Sequence, residues 1–329
     1  MDQTGRDGAF KAFYLDGKEA GFRELTTSDL QDGDVLVSVE YSSLNYKDGL
    51  AITGKGKVVR KFPMVPGIDL AGTVIESNSS DYKPGDKVVA VGQGLGETRW
   101  GGYSQMQRIA SDALNHIPAA LDPMHAMAIG TAGFTAMLSV LALERLNVRP
   151  SEREMIVTGA AGGVGSVAVI LLNQLGYKVA ASTGRPENHD YLREIGAQTI
   201  VDRNTLTEKT SPLASERWAG GIDSVGGQTL ASIVASTVSF GAVAACGLAG
   251  GTDLPLTVFP FILRNVSLLG ISSPLAPKPL REEAWNRLAR DLPISKLEKI
   301  LRVEPMDRLP ELAPQILAGQ VRGRIAIKN

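Results

Sequence analysis

The apolar pattern changes character near residue 150. Beyond it, short β-forming runs at Met155–Thr158, Val179–Thr183, Thr199–Val201, Ile222–Val225, Ala242–Cys246 and Val266–Ile271 follow one another. Stretches of helical spacing, Gly163–Leu175, Asn188–Ile195 and Gln228–Ser236, fall between several of them. Strands alternating with helices predict a parallel sheet covered on both faces. Residues 10–118 read differently: they are dense in Gly and Pro, with short runs such as Asp34–Val39 and Lys87–Ala90. That is the pattern of an irregular, barrel-like β domain with many turns. After Ile271 come Pro274, Pro277 and Pro279, helices at Arg281–Asp291 and Leu309–Ala318, and a last strand, Arg324–Lys328, able to rejoin the N-terminal domain. The expected architecture is α/β: a doubly wound parallel sheet over residues 123–271, inserted between two parts of a β-rich domain, 1–122 and 272–329. No internal repeat, low-complexity tract or long linker interrupts it.

The first strand of the alternating part runs into Thr158-Gly159-Ala160-Ala161-Gly162-Gly163-Val164-Gly165 and then into a helix. A glycine-rich turn between strand and helix, with a second strand following, is the phosphate-binding unit of a dinucleotide fold. Gly162 allows the backbone close to a pyrophosphate and Gly165 lets the helix pack tightly, while Ala160 stands at the first fingerprint glycine. At the end of the second strand, an NAD-preferring site places an acid for the ribose 2′-hydroxyl. This chain has Ser182-Thr183-Gly184-Arg185 instead. Hydroxyls beside a guanidinium suit a 2′-phosphate, so the expected cofactor is NADP(H).

Composition narrows the class. The 329 residues are 43% hydrophobic and 21% charged with a net charge of −1, which describes an ordinary globular protein and argues against binding nucleic acid or anionic membrane by bulk charge. Met1–Ala20 has no signal-like apolar core, and no apolar run approaches a membrane span; Val167–Leu172 reads as a helix core. One cysteine, Cys246, excludes an intramolecular disulfide and fits a reducing cytoplasm; it reads as a structural thiol. His116, His125 and His189 are scattered without ligand spacing.

Several stretches together resemble the medium-chain dehydrogenase/reductase superfamily over essentially the whole chain. They are Ser42–Asp48, Pro66–Gly72, Lys83–Val88, Gly130–Ala136, Gly159–Gly165 and Ile222–Gly227. Ile52–Lys57, Trp100–Gly102, Ala245–Gly251 and Pro260–Asn265 are similar to the quinone-oxidoreductase-like branch that includes acrylyl-CoA reductase. The resemblance implies a GroES-like β-rich catalytic domain around the dinucleotide domain, and a dimer formed near Val266–Ile271. Zinc-dependent relatives carry a Cys three residues before the aspartate of the first stretch and a His-Glu pair in the second. Asn45 and Ile68-Asp69 stand there, and one cysteine cannot build a four-cysteine zinc lobe, so no metal is expected.

Without a Lewis acid, alcohol oxidation lacks alkoxide stabilisation, whereas reduction of an activated C=C bond lets the substrate's own carbonyl or thioester delocalise charge. The branch implies NADPH-dependent reduction of acrylyl-CoA to propionyl-CoA. Tyr46 is the first catalytic candidate, as a phenol donating to a developing oxyanion or as a ring packing on the cofactor. Asn45 either hydrogen-bonds cofactor or substrate or stabilises a turn, and Asp48 holds local structure. By resemblance, Ala161, Gly162, Gly163 and Val164 face the pyrophosphate, Thr183, Gly184 and Arg185 the 2′-phosphate, and Arg203 the adenine. Leu248, Ile262, Ser273 and Arg324 close on the nicotinamide half, although Leu248 and Ile262 also suit a core and Arg324 a solvated tail. Lys55, Lys57, Arg60 and Lys61 form a basic loop, either plain solvated surface or a rim for the phosphates of coenzyme A, with Lys55 and Lys57 as substrate contacts. The rival enzymatic reading is a quinone or small enone/enal reductase. A cofactor-binding structural or RNA-binding role is disfavoured by the near-zero charge and the absence of an aromatic-plus-basic platform.

Overall fold

The computed structural model describes residues 8–329; residues 1–7 of the leading segment discussed above lie outside the described residues. Two compact units share the chain: Met1–Thr131 with Ser273–Ala289 and Glu298–Asn329, and Ala132–Ser272 with Arg290–Leu297.

In the second unit six strands form one parallel sheet. Their spatial order is Thr199–Asp202, Lys178–Thr183, Glu154–Val157, Trp218–Asp223, Thr237–Ala245, Ser267–Gly270. Counted along the chain within the unit this is 3-2-1-4-5-6, the doubly wound dinucleotide order, whose direction reverses between the first and fourth strands. Ile156, Ala180, Trp218, Ile233 and Val243 fill one face. The fourth strand begins at Trp218 and ends at Asp223, not at Ile222–Val225 as expected. Its first half escaped notice because Ala219-Gly220-Gly221 has little β-propensity. The glycine has a steric reason: a Cβ on Gly220 would lie 2.3 Å from the Ala242 carbonyl oxygen of the neighbouring strand. The fifth strand likewise starts earlier, at Thr237.

The expectation that no apolar run is long enough for a membrane does not hold. Helix Pro123–Arg145 has 23 residues, and its most apolar window has a mean hydropathy of 1.8. It is nevertheless a core helix: 89% of that window is buried, and Gly130, at φ +51°, breaks it into two segments.

The first unit carries a sheet ordered Leu301–Pro305, Arg324–Lys328, Val35–Ser43, Asp69–Ser77, Lys87–Val91, Asn115–His116, with Met106–Ile109 also paired to Val35–Ser43. The closing strand does rejoin the N-terminal domain, antiparallel to Val35–Ser43 with Ala326 opposite Ser43. It also runs parallel to Leu301–Pro305, an edge strand whose two apolar side chains gave no sequence signal. Val35, Val37, Leu70, Val74 and Val88 point into one core, and a hairpin of Phe10–Leu15 and Ala20–Leu25 covers a second. Helix Tyr46–Thr53 packs closely on helix Leu309–Leu317, since a Cβ on Gly49 would fall 2.8 Å from the Ile316 side chain.

Candidate active site

The nucleotide-binding features gather at the C-terminal edge of the parallel sheet. Gly159, two residues past the end of the first strand, takes φ +57°, and the Gly162 amide donates back to its carbonyl at 2.9 Å. The tight-turn role of the first fingerprint glycine therefore falls to Gly159, one residue before the substituted Ala160, whose side chain is buried. Gly162 caps helix Gly163–Gln174, and Ala161 to Val164 are partly exposed above it. The first-turn amides of a helix have no intrahelical acceptors, so this rim is a ready anion site. A Cβ on Gly162 would meet only the Gly159 oxygen within 4 Å, at 3.2 Å, so the backbone is open to approach from outside. On Gly165 a Cβ would lie 2.3 Å from that same oxygen and 2.6 Å from Ala160 Cα. Here the helix and turn are in backbone contact. The residues present thus fit a pyrophosphate held by main-chain donors.

Two arginines stand at the end of the second strand. The Arg185 amide donates to Thr183 Oγ1 at 3.2 Å and its residue is exposed. The exposed Arg203 donates its amide to the Thr183 carbonyl at 3.1 Å, and its side chain passes so close over Gly184 that a Cβ there would sit 2.3 Å from Nε. Between the first and fourth strands, Thr158 Oγ1 donates to Asp223 Oδ1 at 2.6 Å, while the Gly226 amide donates to Oδ2 at 2.7 Å. Burial raises the Asp223 carboxyl above its ordinary range, against those hydrogen bonds. Leu248 lies beside Gly226 and is 65% exposed; Ile262, on helix Phe259–Arg264, is also exposed. Cys246 donates Sγ–H to the Asp223 carbonyl at 3.2 Å, and burial pushes its pKa up to about 12, which makes it an inert thiol.

The first unit builds a second constellation. Asn45 caps helix Tyr46–Thr53, and its amide donates to Asp48 Oδ2 at 2.8 Å in a reciprocal capping box. Asp48 Oδ1 accepts from the Ile68 amide at 2.9 Å. The Asp69 carboxylate accepts four hydrogen bonds: Ser43 Oγ at 2.5 Å, Asn45 Nδ2 at 2.9 Å, and the Thr131 amide and hydroxyl at 2.9 and 2.5 Å. Arg324 closes the network through Nη2 to Ser43 Oγ at 3.0 Å, Nη1 to Asn45 Oδ1 at 3.3 Å and Nε to the Ala128 carbonyl at 2.8 Å. Only glycine fits at position 130, where a Cβ would lie 2.5 Å from Arg324 Nη2 and 2.7 Å from Asp69 Oδ2. All these polar residues except Thr131 are buried, Arg324 to 2% exposure, so the solvated-tail reading of that arginine does not hold. Burial pulls the guanidinium below its usual range while Asp69 and Asp48 work the other way. Burial, then the charge of Asp69, raises Asp48 to about 7.

Family profiles match on both sides: an alcohol dehydrogenase GroES-like domain over residues 31–119 and a zinc-binding dehydrogenase over residues 163–290. The acrylyl-CoA reductase AcuI of Ruegeria pomeroyi is 53% identical over 325 residues, covering 97% of this chain and 98% of that one. The chain belongs to the medium-chain dehydrogenase/reductase superfamily. A putative quinone oxidoreductase of Bacillus subtilis, YhfP, is 42% identical over 93% of each chain. The yhdH oxidoreductase of Salmonella enterica, crystallised in complex with NADP, superposes with a TM-score of 0.94 at 49% identity, covering 98% of this chain and 99% of that one.

In this medium-chain dehydrogenase/reductase the places of the zinc ligands, 45 and 68–69, are built into the Arg324 network. No group of three His, Cys, Asp or Glu able to hold a metal occurs among the described residues. The expected site residues fall into groups. Asn45, Tyr46 and Arg324 converge in the first unit, where the Asn45 and Arg324 side chains are engaged inside the network and Tyr46, the first helical residue, is 56% exposed. Ser273 is buried in a separate turn of that unit, and Lys55 and Lys57 are exposed on the loop after the helix. His116 is a strand-end residue whose ring contacts the Asp81 carbonyl. Ser43, Thr131 and Gly130 carry no individual sequence signal, although each lies in a stretch that carries the resemblance, and Asp69 stands out only as a residue at a zinc-ligand place.

Two expected results follow from this geometry. Because the folded pKa of Asp48 lies above its unfolded value near 4, its contribution to stability is complete below about pH 4 and is lost as pH rises to about 7. Chemical denaturation of wild type and Asp48→Asn between pH 4 and 8 checks this: the variant should show a flatter profile across that window. Arg185→Ala should weaken NADPH roughly 10- to 150-fold, the worth of a charge-assisted contact, while NADH affinity changes little; equal losses would remove Arg185 from the 2′-phosphate.

Proposed function

We propose that this chain is an NADPH-dependent reductase of the C=C bond of a short α,β-unsaturated acyl-CoA, converting acrylyl-CoA to propionyl-CoA without a metal. The observation that carries the reading is the Arg324–Asp69–Asn45 network: Asn45 and Asp69 stand at zinc-ligand places and are tied to each other and to Arg324, so the acceptor must stabilise its own developing charge. A thioester conjugated to the double bond does so. When bound, NADPH supplies the hydride. The turn Ala161–Val164 would hold the pyrophosphate by its amides, Thr183, Gly184 and Arg185 the 2′-phosphate, and Arg203 the adenine. Asn45 and Asp48 fix the helix start that carries Tyr46, and the Tyr46 phenol would donate to the enolate oxygen.

The basic loop favours coenzyme A over a simple quinone. Lys55, Lys57, Arg60 and Lys61 are exposed, and none has a carboxylate partner among the described residues, unlike Lys47, which pairs with Glu97 at 2.8 Å. The quinone or enone reading is supported by the similarity to the Bacillus subtilis protein. Comparing kcat/KM for acrylyl-CoA, crotonyl-CoA and a benzoquinone tests the choice; acrylyl-CoA should lead, and a leading benzoquinone would overturn it. Tyr46→Phe should lower the rate of hydride transfer about 10- to 100-fold with little change in NADPH affinity, and a rate within about twofold of wild type in stopped flow would leave the ring only a packing role. The protein is further read as a cytoplasmic homodimer. Val258, Phe259, Ile262 and Leu263 are exposed beside the edge strand Ser267–Gly270, a surface suited to a second copy.

A further inference from the structure

The loop Gly92–Gly96 concentrates unusual backbone in the first unit. Gly92, Gly94 and Gly96 have φ of +68°, +84° and +69°, and between the first two Gln93 is held at +52°. A glycine could take that conformation without cost, whereas a glutamine there is uncommon and persists only where its surroundings enforce it. The side chain shows what is gained. Gln93 Nε2 donates to the Pro274 carbonyl at 3.0 Å, joining residues 181 positions apart. The backbones also meet, since a Cβ on Gly92 would fall 2.9 Å from Pro274 Cα.

Pro274 is the centre of the short turn Ser273–Leu275, in which Ser273 is buried and Leu275 is 82% exposed. At its other face the strained loop is tied to the residues that carry the polar network: the Gly92 amide donates to the Ile68 carbonyl at 2.8 Å, and Gly96 packs against Gly67. Ile68 in turn donates to Asp48. One loop thus bridges the Asp48–Asp69 network and the Ser273 turn, and Gln93 makes the side-chain link.

We propose that Gln93 is a positioning residue for the reductase site: its left-handed backbone and its bond to Pro274 hold the Ser273–Leu275 turn in register with the Asp69 network. The inference rests on the proposed NADPH-dependent function, because Ser273 is the residue through which Gln93 acts on the nicotinamide half.

The test uses Gln93→Gly, which relieves the backbone, and Gln93→Glu, which keeps the length but replaces the donor with an acceptor facing a carbonyl. Melting temperature, NADPH affinity by fluorescence titration and kcat with acrylyl-CoA are read for each. Gln93→Gly should melt at or above the wild-type temperature while losing about 5- to 10-fold in NADPH affinity or kcat, the range set by one hydrogen bond. Gln93→Glu should lose at least as much. A residue needed only for folding would lose activity together with melting temperature, so a Gln93→Gly variant that melts lower and is inactive in proportion would overturn the proposal. Both variants within twofold of wild type in affinity and kcat would do the same. Failure of the functional reading is visible in the wild type, as absent NADPH binding or turnover; failure of this inference is visible only in the variants, beside an active wild type.

Discussion

Arg324→Met should be the most damaging conservative-sized substitution in the first unit. It leaves Asp69 buried at 0% exposure with no cation beside it and removes the donor to Asn45 Oδ1. Arg324 reaches Asp69 through Ser43 and Asn45 rather than in a direct ion pair, and removing the compensating partner of a buried charge costs up to about 3–5 kcal/mol. At roughly 2–4 °C per kcal/mol for domains of this size, the melting temperature should fall by about 6–20 °C. Combining it with Asp69→Asn should recover part of the loss, since the double variant no longer buries a lone charge. Thermal unfolding of the two single variants and the double variant checks this. Additive losses would show that Arg324 does not compensate Asp69.

Gly165→Val should abolish measurable nucleotide binding. Its Cβ would enter backbone contacts of 2.3 and 2.6 Å, and neither Gly159 nor Ala160 has a side chain to rotate away. The turn itself must move, carrying the pyrophosphate amides with it. Losing two such charge-assisted hydrogen bonds, each worth about 1.5–3 kcal/mol, corresponds to at least about 100-fold in affinity. Gly162→Ala is the informative control: it should fold with a near wild-type melting temperature yet still bind NADPH more weakly, because its methyl projects where the phosphate must approach. Normal NADPH affinity in Gly165→Val would mean the turn does not hold the pyrophosphate.

The parallel sheet and its turn were legible because they rest on local requirements. A strand must end, a glycine must permit φ +57°, and a helix must begin, all within a dozen residues. Even so, the turn glycine was assigned one position late, since the pattern alone does not say which residue takes the positive φ. The 3-2-1-4-5-6 order was not readable, because pairing between Glu154–Val157 and Trp218–Asp223 is non-local. The Asp69 network was hidden for the same reason. Asp69 bonds to Ser43 across 26 residues and to Thr131 across 62, and Arg324 reaches Asn45 across 279. Helix Pro123–Arg145 was obscured by Gly130 and its neighbouring threonine, which look like a turn but open room for a guanidinium.

The position of strand Arg324–Lys328 between Val35–Ser43 and Leu301–Pro305 sets a schedule for synthesis. On the ribosome, Ser43, Asn45 and Asp69 emerge long before their arginine. At about 5–20 residues per second, the wait between Asn45 and Arg324 is roughly 15–55 s. The contiguous stretch Ala132–Ser272 is complete within that interval and can close its own sheet first. Until release, Tyr41–Ser43 at the end of strand Val35–Ser43 lack their neighbour, and a buried carboxylate site waits for its counter-charge. A nascent chain stalled before residue 324 should therefore protect the nucleotide-binding unit from protease while leaving Val35–Asp69 open to cleavage.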